Sequence, residues 1–323
     1  MTTQQKVFFK TLTCKIPPVL FLLFSPLVGL ASDLDSELRQ ASWIGQDEQV
    51  ILLLQQGASP NSSSGFGKTA LMFAVEEGNE SVADILISNG ADVNAKSVAG
   101  CTALTFASEG GYTNIVENLL KLKAKLNPKT RAGWDALMIA TRYNHTDVMK
   151  VLISHNANVN TADKDGFTAL MTAADKGFLE AVQILFEADA DLHIRNRDGA
   201  TALMLAASKG QLKVLQLLLN KGASVEALSD DGATALFWAS SNGHTDTVKL
   251  LLESGSDINQ QDLDGNTALM DAVLSGQEQV VKLLLEHKAD ISLKNKDDKN
   301  ALDIARNHKQ DQLFKLLLNA SQK

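Results

Sequence analysis

The chain has 323 residues, a formal net charge of −8 and an apolar fraction of 45%, so it is long and apolar enough to bury a substantial core. An acidic chain repels phosphate backbones, and no basic run interleaved with aromatic residues offsets this charge, which argues against nucleic-acid binding. Aromatic residues make up only 5% of the chain, which is low for a globular enzyme and favours small, closely packed helices.

The first 31 residues have the organisation of a secretory signal peptide. A polar segment with three lysines precedes an apolar run from Val19 to Ala31, and small residues at Gly29 and Ala31 suit cleavage before Ser32. A membrane-spanning helix needs about 20 apolar residues, which this run does not reach, so cleavage is favoured over a retained anchor. We therefore expect export, to the periplasm first and to the outside of the cell as the alternative.

The rest of the chain repeats itself every 33 residues. Glycines recur at positions 67, 100, 133, 166, 199, 232 and 265, and an Ala-Leu pair recurs in register from Ala70-Leu71 to Ala301-Leu302. Several rows of residues that stay in phase at such a period indicate stacked supersecondary units.

One unit, residues 163–195, shows the expected local structure. Gly166 supplies the positive φ of a turn, and the Thr168 hydroxyl caps a first short helix. Gly177 ends that helix, and a second helix follows over residues 178–187. Such a unit cannot bury its apolar face alone, so it must stack on its neighbours.

These residues resemble the ankyrin repeat, over residues 34–323. The segment from Asp231 to Ala239, DGATALFWA, is similar to the family pattern D-x-x-G-x-T-P-L-H-x-A, with Ala in place of Pro. Gly243, Val248 and Gly255 to Asn259 continue that pattern. The resemblance implies an all-α solenoid of about nine helix-turn-helix units with hairpin loops. The Thr-Ala-Leu-Met form of the units is similar to bacterial ankyrin proteins, which agrees with export.

One unit, residues 130–162, departs from the pattern at two positions in a way that keeps its geometry. Asp135 takes the place of the capping threonine, and Asn144 takes the place of the glycine that ends the first helix. The terminal units have the character of caps. The predicted division is a signal peptide at 1–31, an N-terminal capping repeat at 32–63, seven repeats at 64–96, 97–129, 130–162, 163–195, 196–228, 229–261 and 262–294, and a C-terminal capping repeat at 295–323.

No motif in the sequence points to catalysis. Gly67-Lys68-Thr69 resembles the end of a phosphate-binding loop, but Ser62 stands where that loop needs glycine. The six histidines form no H-E-x-x-H motif and no short metal-binding pair. We therefore predict a non-enzymatic protein with no catalytic, cofactor-binding or metal-binding residues and no cofactor.

The resemblance implies that a partner protein binds on the concave side, which the hairpin tips and the exposed ends of the first helices form. The residues mapped there are Phe66, Arg131, Trp134, Arg142, Tyr143, Lys164, Phe167 and Lys176. Trp, Tyr and Arg are enriched in binding hot spots, although Trp134 and Phe167 can equally stack along the hairpins.

The predicted function is a protein–protein interaction scaffold of the bacterial envelope, acting as a monomer. After signal cleavage it has no stable membrane span. The alternatives are a secreted effector that binds host proteins, and an inhibitor or chaperone of an exported enzyme.

Overall fold

The computed structural model describes residues 33–322, and the predicted signal peptide lies outside them. Within this range the chain forms 18 α-helices and no β-strand; three isolated antiparallel bridges close hairpins. The helices are α1 (Leu34–Ile44), α2 (Asp47–Gln55), α3 (Ala70–Glu76), α4 (Glu80–Ser88), α5 (Ala103–Gly110), α6 (Thr113–Lys121), α7 (Ala136–Arg142), α8 (Thr146–Ser154), α9 (Ala169–Lys176), α10 (Leu179–Glu187), α11 (Ala202–Ser208), α12 (Leu212–Asn220), α13 (Ala235–Ser241), α14 (Thr245–Glu253), α15 (Ala268–Leu274), α16 (Glu278–Glu286), α17 (Ala301–Asn307) and α18 (Asp311–Ser321).

The helices are arranged in consecutive pairs, and the described residues divide into two compact units, the first ending at Asn158 and the second beginning at Val159. In the first unit, the odd-numbered helices α1 to α7 pack on one another in sequence, and the even-numbered helices α2 to α8 form a second layer. In the second unit, α9 to α17 and α10 to α18 form the same two layers. We call the odd-numbered helices inner and the even-numbered ones outer.

Polar side chains cap the N-termini of inner helices α7 and α9, as the sequence predicts. Thr168 is the N-cap of α9, and its hydroxyl accepts a hydrogen bond from the backbone N–H of Met171. Asp135 caps α7 in the same way, through the N–H of Met138 at 3.0 Å. These helices have only seven or eight residues, so one satisfied N–H is a large part of the hydrogen bonding at that end.

A residue in the left-handed conformation follows the first helix of a pair. Gly177 has φ of 74° after α9, and Asn144, which replaces glycine after α7, has φ of 59°. The prediction of a left-handed turn at Asn144 is therefore confirmed. Gly166 shows why the hairpin glycines recur, because a Cβ on it would lie 2.8 Å from the Cα of Asn196 in the next hairpin.

The core of each pair consists of small and aliphatic residues. In α9, Ala169, Leu170 and Met171 are buried, and in α10 Val182 and Leu185 are buried. Alanine on the inner helices allows neighbouring helices to approach closely, while leucine and valine of the outer helices fill the space behind them. No helix within residues 33–322 has the length and apolar character required to cross a membrane.

Polar side chains also tie each pair to the one before it. The side-chain amide of Asn79, at the start of α4, donates to the carbonyl oxygens of Ser42 and Trp43 at the end of α1, both at 3.0 Å. His145 Nε2 makes the corresponding bond to the carbonyl of Glu109 at 3.0 Å. In the second unit this position bonds through Gln211, His244 and Gln277.

Backbone hydrogen bonds join consecutive hairpin tips within each unit. In the first unit, the N–H of Val98 donates to the carbonyl of Phe66 at 2.9 Å, and that of Arg131 donates to the carbonyl of Ala99 at 2.8 Å. In the second unit, the N–H of Leu263 donates to the backbone carbonyl of Asp231 at 2.9 Å. The hairpins therefore form an ordered edge beside the inner helices.

Candidate partner-binding surface

Three of the predicted residues meet at the end of α7. Trp134 lies on the hairpin that precedes the helix, Arg142 is the last residue of the helix, and Tyr143 is its C-cap. The guanidinium carbon of Arg142 lies over the indole ring, 4.7 Å from its centre. The Arg142 side chain thereby connects the hairpin to the helix end through a cation–π contact.

Tyr143 extends this cluster to the neighbouring inner helix. Its hydroxyl donates to Oε1 of Glu109, in α5, at 3.1 Å, and its ring stacks on that of His145 with centroids 6.1 Å apart. Burial, together with the negative charge and the hydrogen bond of Glu109, raises the pKa of Tyr143 to about 12, while Arg142 opposes these effects. The phenol therefore remains protonated at neutral pH and serves as a hydrogen-bond donor.

The hairpin before α7 fixes the position of Trp134. The N–H of Trp134 donates to the Thr130 hydroxyl at 3.1 Å, and the Trp134 carbonyl accepts from the Thr130 N–H at 2.9 Å. Arg131, at the tip of the same hairpin, has an exposed side chain. The hairpin thus presents the exposed side chain of Arg131 beside the half-buried Trp134.

A buried ion pair joins the hairpin before α3 to the end of α3, in the same compact unit. Lys68 donates to Glu76, and the side chains of both residues are almost fully buried. The Lys68 Nζ also lies 4.6 Å from the ring centre of Phe73 and 4.7 Å from that of Phe106. The two aromatic faces replace part of the water that the ammonium loses.

Four predicted residues are not part of the cluster formed by Trp134, Arg142 and Tyr143. One of them lies elsewhere in the first unit, and the other three belong to the second unit. Phe66, in the first unit, is 55% exposed at a hairpin tip. In the second unit, Lys164 is exposed and Phe167 is half-buried, with its N–H donating to Asp163 at 2.8 Å. Lys176, at the end of α9, has its Nζ 6.0 Å from the ring centre of Phe178. That these residues bind a partner protein stays a prediction.

The pairing of Lys68 with Glu76 was not predicted from the sequence. Lysine at a hairpin and glutamate at a helix end normally indicate solvent-exposed positions, and the repeat pattern places both at its variable positions. A usable signal was the pair of phenylalanines at positions 73 and 106, which occupy the same place in consecutive units. Elsewhere, within residues 33–322, no group of three or more His, Cys, Asp or Glu side chains is arranged to hold a metal ion.

A family model described as "Ankyrin repeats (3 copies)" matches residues 38–130, 122–196, 173–262 and 254–323. The chain belongs to the ankyrin-repeat family. Ankyrin repeats generally mediate protein–protein interaction and are typically non-enzymatic, and the match suggests a protein partner for this ankyrin-repeat protein. No curated protein matches the chain.

Proposed function

We propose that this ankyrin-repeat protein is a non-enzymatic scaffold that binds a partner protein through the surface formed by Arg131, Trp134, Arg142 and Tyr143. In this proposal the protein is a monomer, and its chain forms a solenoid of about nine units with a capping repeat at each end. The contact between Arg142 and Trp134 is the observation that carries it, because it holds two hot-spot residue types in a fixed arrangement.

Preorganisation is the physical argument for this surface. Arg142 is restrained by the indole face, and Tyr143 by its hydrogen bond to Glu109. An arginine or tyrosine that is already restrained loses less rotamer freedom when a partner docks, and each immobilised side chain otherwise costs about 0.5–1.5 kcal/mol. The hairpin and helix end therefore offer aromatic contact area at a low entropic cost.

The charge of the surface indicates the chemistry of the partner. Arg131 is exposed, and Arg142 is half-buried with its guanidinium beside an aromatic face. Arginine pairs in a bidentate fashion with carboxylates, so an acidic or mixed surface on the partner fits these two residues.

Site-directed photo-crosslinking in the producing cell tests the proposal. A photoreactive amino acid at Arg131 is expected to yield one crosslinked partner, whereas the same amino acid at Lys121, on outer helix α6, is expected to yield none. The affinity of the purified full-length protein for that partner is then measured with Trp134, Arg142 and Tyr143 replaced together. We expect a loss of at least about 100-fold, since hot-spot residues each contribute about 2 kcal/mol or more. Unchanged affinity would refute the proposal.

The proposed location is the bacterial envelope, after cleavage before Ser32. The first 31 residues support this, through the charged segment, the apolar run and the small residues at Gly29 and Ala31. An intact-mass measurement on the protein from fractionated cells tests it. A mature chain that begins at Ser32 in the periplasm supports an envelope scaffold, inhibitor or chaperone. The same chain in the medium favours a secreted effector.

A further inference from the structure

A run of basic residues leads from the end of outer helix α6 towards the next hairpin. On a chain whose net charge is −8, residues 118–134 contain five basic residues and no acidic one. These five residues, all of them exposed, are Lys121, Lys123, Lys125, Lys129 and Arg131. The name lysine loop is used here for residues 121–125, in which three lysines alternate with Leu122 and Ala124. Positive charge is thus concentrated at one place on an acidic protein.

The charge of the lysine loop is only weakly compensated. The carboxylate of Glu117, one turn earlier on α6, lies 3.6 Å from the Nζ of Lys121, and both side chains are exposed. An exposed pair of this kind contributes little and is screened by salt. The side chains of Lys123 and Lys125 form no ion pair with any residue in the range 33–322. The loop therefore presents an uncompensated positive field to the solvent.

Lys123 has a backbone conformation that disfavours its side chain. Its φ is 63°, in the left-handed region, where a Cβ is crowded by the backbone. Asparagine and aspartate tolerate this conformation best among residues with a side chain, and they occupy the corresponding place in two other helix pairs. In four further pairs the residue is glycine, namely Gly57, Gly90, Gly222 and Gly255. The lysine is therefore retained at a cost to local stability.

Lys125 lacks a hydrogen bond that other loops make at the same place. There, an aspartate or serine accepts a hydrogen bond from the N–H two residues later. Asp92 accepts from Asn94 in this way at 2.8 Å, and Asp290 accepts from Ser292 at 2.8 Å. Lysine has no acceptor atom and cannot make this bond. Two lysines thus occupy places where the backbone favours glycine and a short acceptor, and such departures are expected at functional positions.

The lysine loop also carries apolar area and is held in place. Leu122, between two of the lysines, is 48% exposed. The backbone N–H of Lys125 donates to Oδ1 of Asn94 at 2.8 Å, which fixes the loop to the preceding helix pair. An exposed leucine flanked by ammonium groups combines the two features that attach a protein to a charged interface, apolar contact and electrostatic attraction.

We propose that the lysine loop binds the headgroups of an anionic lipid surface. Lysine ammonium groups are compact point charges on flexible stems, which suits a dense field of phosphates. Leu122 contacts the boundary between headgroups and acyl chains, while the stems of the lysines lie along it. The acidic remainder of the chain does not cancel this attraction, because salt screens charges beyond about 8 Å at physiological ionic strength.

An acidic protein fits the lysine loop less well than a lipid surface does. Specific pairing with carboxylates favours arginine, whose planar fork binds them in a bidentate manner, whereas the cations of this loop are all lysines. The loop shares no residue with the surface of Arg131, Trp134, Arg142 and Tyr143, so this proposal does not depend on the one made for that surface.

Co-sedimentation with lipid vesicles tests the proposal. The chain that begins at Ser32 is used, since it contains all of the described fold and lacks the apolar run of residues 19–31. We expect it to bind vesicles of phosphatidylglycerol and phosphatidylcholine in equal parts and not vesicles of phosphatidylcholine alone. Salt at about 1 M should release it, because the Debye length then falls to about 3 Å.

The triple variant Lys121→Asn, Lys123→Gly, Lys125→Ser gives the lysine loop the residues of the loop formed by Asn220, Gly222 and Ser224. Each lysine near an anionic bilayer contributes about fivefold in affinity, so the variant should bind about 100-fold more weakly. Since glycine and serine suit this backbone, its thermal midpoint should not be lower than that of wild type. Should the variant nevertheless fail to fold, Lys125→Ser alone replaces it, with an expected loss of about fivefold.

The matched control removes three lysines from a loop of the second unit, with Lys288→Gly, Lys294→Gln and Lys296→Gln. Lys288 has the same φ of 63° as Lys123, but Glu286 and Asp290 flank it. Vesicle binding should change less than about threefold, because these lysines have acidic neighbours that offset their charge.

Three results would overturn the proposal. The first is equal binding to neutral and anionic vesicles, or to neither. The second is an equal loss of vesicle binding in the lysine-loop variant and in the control, which would show that only the net charge matters. The third is binding to poly-glutamate, lost in the lysine-loop variant, without binding to anionic vesicles. That result would assign the loop to an acidic protein.

Discussion

The guanidinium of Arg142 lies over the face of Trp134, with 4.7 Å between the guanidinium carbon and the ring centre. Arg142 is the last residue of inner helix α7, and Trp134 lies on the hairpin that leads into that helix. The contact therefore joins the hairpin to the far end of the helix within one helix pair. A single side chain therefore contributes both to the stability of the pair and to the surface that we propose for binding.

Replacing Arg142 with methionine separates these two contributions. Arg142→Met keeps an unbranched stem but removes the charge above the indole, and we expect a loss of about 0.5–1 kcal/mol in the free energy of unfolding. Urea unfolding followed by circular dichroism measures it. Arg131→Met, at an exposed tip of the same hairpin, is the control and should stay within about 0.5 kcal/mol of wild type. Equal losses in both variants would contradict a stabilising contact.

Breaking the buried ion pair between Lys68 and Glu76 should lower the free energy of unfolding far more than Arg142→Met does. Lys68→Met leaves the Glu76 carboxylate buried without its cation, and we expect a loss of about 3–5 kcal/mol in the free energy of unfolding of the first unit. The double variant Lys68→Met with Glu76→Leu removes both charges and should recover most of that loss. Hydrogen exchange of the α3 amides gives the measurement, because it reports local stability in a repeat protein. A double variant as unstable as Lys68→Met would contradict the interpretation.

Asp271 should make the stability of the second unit fall as the pH rises. The carboxyl has a pKa of about 7 in the folded chain and an ordinary, lower pKa when unfolded, so the folded state holds a proton that the unfolded state has released. This stabilising effect is complete below about pH 4 and is lost as the pH rises through about 7.

The variant Asp271→Asn should remove that dependence, because the amide cannot ionise. At about pH 8 we expect it to be more stable than wild type by roughly 2–4 kcal/mol, and at about pH 4 to be nearly equal to it. Thermal unfolding over this pH range measures the effect. A constant difference between variant and wild type would show that Asp271 titrates normally.

The bonds between consecutive helix pairs can be tested at Asn79. Asn79→Ala removes two hydrogen bonds to the carbonyls of Ser42 and Trp43, and we expect a loss of about 1–2 kcal/mol together with faster amide exchange in α1. Gln46→Ala is the matched control, since Gln46 is the corresponding residue of α2 and makes no side-chain capping bond. Similar amide exchange rates of α1 in both variants would show that the Asn79 hydrogen bonds do not hold the first helix pair against the second.

The local structure of a helix pair could be predicted from the sequence because it depends on residues close in the chain. A threonine before an Ala-Leu pair places the N-cap, as at Thr168, and a glycine or its substitute ends the helix, as at Asn144. Capping and left-handed turns are short-range effects, so the repeat makes the same prediction in each unit.

The charged groups inside the two units could not be predicted in the same way. Lys68 becomes buried only because two phenylalanines from different helices enclose its ammonium group. Asp271 is partly buried at a helix position where its carboxylate has acidic rather than basic neighbours, Asp262 and Asp231. Both outcomes depend on contacts between elements, which a repeat period does not specify. The sequence also predicted Trp134, Arg142 and Tyr143 as surface candidates without indicating that they contact one another or Glu109.

The backbone hydrogen bonds between hairpin tips have a consequence for the thermodynamics of recognition. Because the N–H groups of Val98 and Arg131 are already bonded to the preceding hairpin, the tips are ordered before any partner arrives. Docking on such an edge involves no coupled folding of this chain. The heat-capacity change of association should therefore match the apolar area buried at the contact alone, and the association rate should not be limited by ordering of the hairpins.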